Sequence, residues 1–368
     1  MATLKIPLAR PYASEEDLEA IRRVMTSGQY IHGSETKQFE SEFASFIGTK
    51  HAVATSSGTA ALHLALLSTG VGENDEVITV SHTFIATIES IWYVRAKPKL
   101  IDIDPRYYVM DIEAVRTLIN EKTRAIIPVH VFGHPVDMDP LRKLAEEHGL
   151  KLIEDAAQAH GSLYKDRPVG TLGDVACFSF YPSKNLTVCG DGGMLVTNDA
   201  GIAQKARMLR DHGRTQKYSS DEVGYNYRLS EIASAIGRVG LKQLPRWNIE
   251  RRSIASHYSR LLSADDQVIP PAEAGWARHV YHVYAIRTKD RDKLALSLAQ
   301  NGIQTGIHYP IPCHLQPVFK RLENSNLYLK NTEQVANELL SLPIFPGMSA
   351  EEVERVAHKV REFHEQTP

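Results

Sequence analysis

Phe178-Ser-Phe-Tyr-Pro-Ser-Lys184-Asn-Leu-Thr-Val-Cys-Gly190-Asp-Gly-Gly193 sets one lysine in a turn between two apolar, strand-like runs, just ahead of a cluster of glycines. Lysine is a poor strand-end residue unless its amine has a task. Desolvated, that amine becomes a nucleophile suited to condensing with an aldehyde. Upstream, Glu154-Asp155-Ala-Ala-Gln158 closes another apolar run, which places a carboxylate at a second strand end.

Working outward, the same pattern repeats through the first two thirds of the chain. His51–Thr55, Glu76–Val80, Lys99–Asp102, Ala125–Val129, Lys151–Asp155, Val175–Phe180 and Gly193–Thr197 read as strands. Helical patterns, among them Thr59–Ser68 and Ile85–Val94, separate most of them. Near-continuous apolar strands alternating with helices predict an α/β fold with a mostly parallel seven-stranded sheet sandwiched by helices. Ser14-Glu-Glu-Asp17 predicts a helix start with a capping box, aspartate taking the place of the usual glutamate. After Leu244 the pattern changes. Pro245 is expected to open an arginine-rich helix, followed by a strand over Tyr281–Ile286 and helices over Arg291–Gln300, Thr332–Leu340 and Ala350–Glu365. The expected organisation is a large α/β domain over 1–244, N-terminal helices included, and a smaller C-terminal α+β domain over 245–368.

Composition narrows the function by exclusion. A net charge of −2 gives no electrostatic case for nucleic acid or an anionic membrane. Cys177, Cys189 and Cys313 have neither disulfide-framework nor zinc-site spacing, and no metal is expected. The opening Met-Ala-Thr-Leu-Lys-Ile-Pro lacks the apolar core of a signal peptide, and no stretch approaches the ~20 apolar residues of a membrane span. A cytoplasmic protein is expected.

Ligands of such sheets bind beyond the carboxyl ends of the strands, where Ser57, Asp155 and Ser179 fall. Ser56-Ser57-Gly58-Thr59-Ala-Ala61 joins a strand to a helix, and small residues there let N–H groups and hydroxyls approach an anion. A plain N-cap is the alternative. Asp155, buried without a partner, would tend to neutralise; a cationic pyridinium nitrogen would hold it ionised. An ion pair with an arginine is the competing reading. A Schiff-base lysine together with a carboxylate for a ring nitrogen is what pyridoxal phosphate requires. Gln158 could donate to the phenolic oxygen of that cofactor, or be a polar turn residue.

Taken together these segments resemble the DegT/DnrJ/EryC1/StrS family of PLP-dependent sugar aminotransferases, of the aspartate aminotransferase fold type I. The resemblance includes Gly28-Gln-Tyr-Ile-His-Gly33, Phe39-Glu through Gly48, Ser57-Gly-Thr-Ala-Ala-Leu62 and Thr83-Phe-Ile-Ala-Thr87. It continues through Glu154–Gly161, the Lys184 segment, Gly224-Tyr-Asn-Tyr-Arg228 and Gly306-Ile-His-Tyr-Pro310. It implies that Lys184 is the catalytic residue, carrying the cofactor as a Schiff base and later shuttling the proton. It further implies Asp155 at the pyridine nitrogen, Gln158 at the phenolic oxygen and Phe84 on the ring face, a position that ordinary core packing would also explain. Ser57, Gly58, Thr59 and Ser179 would hold the phosphate. Asn226 would reach the phosphate from a second subunit, so a homodimer with shared active sites is expected. Tyr30, Arg228, His308, Tyr309 and His314 would face the substrate, with Arg228 either pairing with a substrate anion or bracing its loop.

The implied activity is transamination from an amino acid, L-glutamate, to a nucleotide-linked keto-sugar, the cofactor cycling through pyridoxamine phosphate. The Gly190-Asp-Gly-Gly193 turn is closer to family members acting on 3-keto sugars; 4-keto members often have glutamate where this chain has Asp191. A dTDP-3-keto-6-deoxyhexose or a UDP-3-keto sugar is therefore expected, with a 4-keto sugar as the alternative. Sugar dehydratases of the family have histidine at the lysine position, so Lys184 argues against that role. A cyclitol or amino-aromatic role would keep the lysine. A non-catalytic regulator that binds PLP or a nucleotide sugar is the rival from another class.

Overall fold

A computed structural model describes residues 5–11, 13–323 and 326–366. Its central sheet has seven strands, in chain order β1 (His51–Thr55), β2 (Glu76–Val80), β3 (Lys97–Ile101), β4 (Thr123–Ile127), β5 (Lys151–Asp155), β6 (Val175–Ser179) and β7 (Gly193–Thr197). Across the sheet they run β1-β7-β6-β5-β4-β2-β3. All neighbours are parallel except at β7, which is antiparallel to both β1 and β6. The seven strands expected from the sequence are those observed, with ends shifted by a residue or two at β3, β4 and β6.

Side chains alternate between two cores, one on each face of the sheet, as the period of two requires. Ala52, Ala54, Ile126, Ala176, Phe178 and Met194 point into one. Val53, Ala125, Ile127, Val175, Cys177 and Leu195 point into the other. The first face is covered by helix α2 (Ser34–Ile47), whose Phe43 meets Phe178 edge-on at 5.1 Å. The second is covered by α3 (Gly58–Ser68), a helix apolar all round because it is buried between the sheet and α4 (Ala86–Tyr93). The N-terminal helix, Glu15–Ser27, begins with the expected capping box: Asp17 accepts from Ser14 N at 2.8 Å and Ser14 from Asp17 N at 3.3 Å.

Two expectations need correction. Pro245 does not open a helix; it lies inside α5, which runs unbroken from Glu231 to Leu262. A proline inside a helix costs about 3 kcal/mol through the lost N–H and a ring clash. Here the buried stripe Leu241, Leu244, Trp247, Asn248, Arg251, Ile254, Ala255, Tyr258, Leu262 continues across it, and that burial outweighs the local penalty. The 244/245 boundary therefore falls within one helix that serves both parts of the chain. The helix expected over Thr332–Leu340 spans Lys330–Glu338 and gives way to a strand, Leu339–Leu342, paired with Tyr284–Arg287. The C-terminal part has its own core of Ile254, Tyr258, Tyr284, Ile286, Leu294, Leu340 and Val356. Among the described residues no helix is long and apolar enough to cross a membrane.

Candidate active site

Sheet register assembles the first part of the site. Thr55 and Ser179 both lie opposite Gly193, so the ends of β1, β7 and β6 stand side by side. Just beyond β1, Ser57 caps α3, its Oγ accepting from Ala60 N at 3.0 Å. A Cβ on Gly193 would lie 2.3 Å from the Ser57 carbonyl oxygen, and one on Gly58 would lie 2.8 Å from Ser179 Cβ. Glycine is required at both positions by close approach. Ser57, Gly58, Thr59 and Ser179 thus form one cup at a helix N-terminus, open to solvent through the partly exposed hydroxyls. Such a cup suits a phosphate.

Lys184 lies on the hairpin that joins β6 to β7, in a turn closed by its own N–H on Tyr181 O at 2.8 Å. Burial lowers its amine to about 8, and the negative charge of Asp155 works against that fall. Asp155 ends β5, next to β6, and is 5% exposed. Its carboxylate accepts from Thr87 Oγ1 at 2.7 Å and Ala157 N at 3.2 Å. Burial raises its pKa, opposed by those two bonds and by the positive charge of Lys184. A carboxylate this buried with so few donors is one that an added cation would stabilise.

Gln158 sits over the same strand end. Its Oε1 accepts from Phe132 N at 2.6 Å and its Nε2 donates to the Tyr309 hydroxyl at 3.0 Å. Phe84 is 56% exposed, its ring 5.9 Å from that of Tyr309. Core packing is therefore not what places Phe84. His308 Nδ1 lies 2.8 Å from Ser341 Oγ, and burial with the Lys184 charge lowers the ring to about 4. Contacts and charge interactions thus link Lys184, Asp155, His308, Gln158, Tyr309 and Phe84 into one group.

The remaining expected residues lie apart from this group. Arg228 pairs with Asp211 at 2.6 Å, and His32 meets the same carboxylate at 3.3 Å. That cluster joins the Tyr30 loop, whose carbonyl accepts from Glu231 N at 3.0 Å, to the Asn226 segment. Tyr30 and Asn226 are exposed, and the neighbouring Tyr227 carbonyl accepts from Ser56 N at 2.8 Å, beside the cup. The His314 ring is buried, 2.7 Å from Ser81 Oγ and 3.1 Å from Glu333 Oε1, so both nitrogens are engaged by residues outside that group.

Three contributors were not assigned roles from the sequence. Thr87 is the hydroxyl donor to Asp155; its hydroxyl also lies 2.8 Å from that of Thr83, just ahead of α4, and the Thr83/Thr87 spacing was the available signal. Glu154, fully buried, gathers Leu172 N, Gly173 N, Gly170 N and His130 Nε2 within 3.1 Å. It fixes the strand end from which Asp155 projects. His160, also fully buried, is lowered to about 3 by burial and by the charge of Lys184. It adds a neutral wall beside the lysine. Among the described residues no three histidine, cysteine, aspartate or glutamate side chains converge as a metal site.

Comparison with known proteins agrees with this geometry. The model of the DegT/DnrJ/EryC1/StrS aminotransferase family matches residues 11–361. The chain belongs to this family. It is a PLP-dependent aminotransferase, and the cofactor of such enzymes cycles between pyridoxal and pyridoxamine phosphate. The family member named "Pleiotropic regulatory protein" from Geobacillus stearothermophilus is 43% identical over 95% of this chain and 94% of its own length. The dTDP-3-amino-3,4,6-trideoxy-alpha-D-glucose transaminase of Streptomyces venezuelae is 42% identical over 99% of this chain and 97% of its own. The crystal structure of S. venezuelae DesV in complex with a ketimine intermediate superposes with a TM-score of 0.97, at 41% identity and 100% coverage of both chains. The residues of this site fit the cofactor: a cup for its phosphate, a buried carboxylate short of a cation, and a lysine amine lowered to about 8.

Proposed function

We propose that this aminotransferase moves an amino group from an amino acid, L-glutamate, to C3 of a nucleotide-linked keto-sugar in amino-sugar biosynthesis. The observation that carries the reading is the pairing of charge between the Lys184 amine, from the turn after β6, and the Asp155 carboxylate, at the end of β5, beside the Gln158–Tyr309 hydrogen bond. The Streptomyces relative, named for a dTDP-linked 3-amino sugar, supports the sugar class and the carbon. The Gly190-Asp-Gly-Gly193 turn points the same way.

When bound, pyridoxal phosphate supplies the aldehyde that takes up an amino group and the ring that spreads the charge of a deprotonated carbon. The protein's part is positional and acid–base. Ser57, Gly58, Thr59 and Ser179 hold the phosphate. Asp155 Oδ keeps the ring nitrogen protonated, with Thr87 orienting the carboxylate. Gln158, whose Nε2 donates to Tyr309, would lie at the phenolic oxygen, and the exposed Phe84 ring would cover one ring face. Lys184 Nζ would hold the cofactor and, as a free amine of lowered pKa, would act as the base for the α-proton of the donor. In the second half-transfer it moves a proton onto the sugar carbon that receives nitrogen. The neutral His160 and His308 beside it leave the amine as the one strong base there. Tyr30, Arg228, His308 and Tyr309 flank the entry of the sugar nucleotide, and His314 braces the 308–314 segment against Ser81. Asn226 completes the phosphate site of a second copy in a homodimer.

A regulatory reading has one support, the name of the Geobacillus relative. Binding alone would need neither a lysine amine lowered to about 8 nor a buried carboxylate next to it. The test supplies glutamate with dTDP- and UDP-linked 3-keto and 4-keto sugars and measures 2-oxoglutarate release. Turnover should be highest with a 3-keto sugar. Preference for a 4-keto sugar would move the accepting carbon, and turnover with none would return the chain to the regulatory class.

A further inference from the structure

Arg251 projects from α5 and is 4% exposed. Its Nη1 donates to the backbone carbonyls of Tyr281 at 3.2 Å, His282 at 3.4 Å and Ile344 at 3.2 Å. Its Nε has no hydrogen-bond partner, and no carboxylate pairs with it among the described residues. Burial alone lowers it, to about 10, with no carboxylate raising it. A guanidinium taken out of water against carbonyl dipoles only is a charge still seeking a counter-charge.

That side chain lines a small cavity of about 30 Å³, together with Arg10, Lys184, Asn185, Thr187 and Trp247. A water-sized group needs roughly 10–15 Å³ on this measure, so the space admits about two such groups, the size of a carboxylate. Three cationic residues line it, Arg10, Lys184 and Arg251, and no aspartate or glutamate does. The buried Thr187 hydroxyl also lacks a partner. Arg10 is only partly neutralised: Glu352 lies 3.4 Å away, and its guanidinium stands 4.5 Å over the Phe345 ring. Size and charge agree; among the described lining residues Asn185 Oδ1 is the one unpartnered amide acceptor, against the Arg251 Nε and Thr187 hydroxyl donors.

We infer that this cavity is a site for one carboxylate-sized anion, held by the Arg251 and Arg10 guanidiniums behind the Lys184 turn. The inference stands on the cavity and is independent of which keto-sugar is aminated. Two sources share the chemistry, a free monovalent anion and a carboxylate of the amino donor.

The test uses the full chain loaded with its cofactor. Crystals grown in sodium bromide should give an anomalous peak in the cavity; density there at the strength of water, with no anomalous signal, overturns the inference. In solution, the thermal midpoint is followed against sodium formate, with ionic strength held constant by sodium benzenesulfonate, a bulky anion without a carboxylate. Wild type should show a saturable rise. Half-saturation should move at least tenfold upward in Arg251→Lys, which keeps a donor for the carbonyls, and in Arg10→Gln, a half-exposed position whose midpoint without formate reports the loss of the Glu352 and Phe345 contacts separately. Equal responses in wild type and Arg10→Gln overturn it. Glutarate then identifies the source: competition with formate supports the donor carboxylate, and formate binding without competition supports a free anion.

Discussion

Replacing Glu154 by glutamine should destabilise the fold far more than a one-atom change suggests. Glu154 Oε1 accepts from Leu172 N at 2.8 Å and Gly173 N at 2.6 Å, and Oε2 accepts from Gly170 N at 3.0 Å and His130 Nε2 at 3.1 Å. His130 Nδ1 already accepts from Val136 N at 3.1 Å, so its Nε2 carries the proton and cannot become an acceptor. A glutamine amide satisfies one pair of donors and turns its own NH₂ against the other pair. Two bonds to a charged group, each worth about 1.5–3 kcal/mol, are lost in a fully buried place. A net loss of about 3–5 kcal/mol follows, in the range for breaking a buried ionic contact. With about 2.1 cal/mol/K of unfolding entropy per residue over the 368-residue chain, each kcal/mol moves Tm by about 1.3 °C, so the midpoint should fall by about 4–6 °C. Calorimetry of wild type and variant, with urea unfolding as the second measure, checks it. A loss below about 1 kcal/mol would refute the reasoning, because it would mean that the four donors find other partners.

Gly193→Ala should weaken cofactor binding at least ~tenfold, since a Cβ 2.3 Å from the Ser57 carbonyl forces the cup apart; equilibrium dialysis of the cofactor measures this. The rate at which cofactor-free protein takes up pyridoxal phosphate should rise with pH and level off above about 8, because the neutral amine is the reactive form and burial has lowered Lys184 to about 8. In Asp155→Asn the midpoint should move lower still, since the carboxylate charge is what raises it; stopped-flow absorbance follows both. Mixing Lys184→Ala with Asn226→Ala protein should restore activity to about a quarter of the sites if Asn226 serves the partner's site, as for a random C2 mixture. A Lys184→Ala variant alone should fold normally and turn over no substrate.

The alternation of apolar runs and helices made the sheet legible, because turn-forming residues flank the strands and most strand residues are buried. Lys184, Asp155 and the Ser57 cup were legible for the same reason: polar residues of the right kinds stood at the ends of apolar strands. Three features were not. Pro245 suggested a helix start, while the buried stripe that carries α5 through it depends on packing partners far away in sequence. Glu154 gave no sign of its task, since three of its four donors are backbone amides of a loop 16–19 residues on. His314 looked available, and only the folded chain sets Ser81 and Glu333 against its two nitrogens.

The most direct measurement reduces the cofactor-loaded protein with borohydride, digests it and locates the pyridoxyl group by peptide mass spectrometry. The label should fall on Lys184 alone. A label on another lysine, or none in a protein that still transfers amino groups, would contradict it.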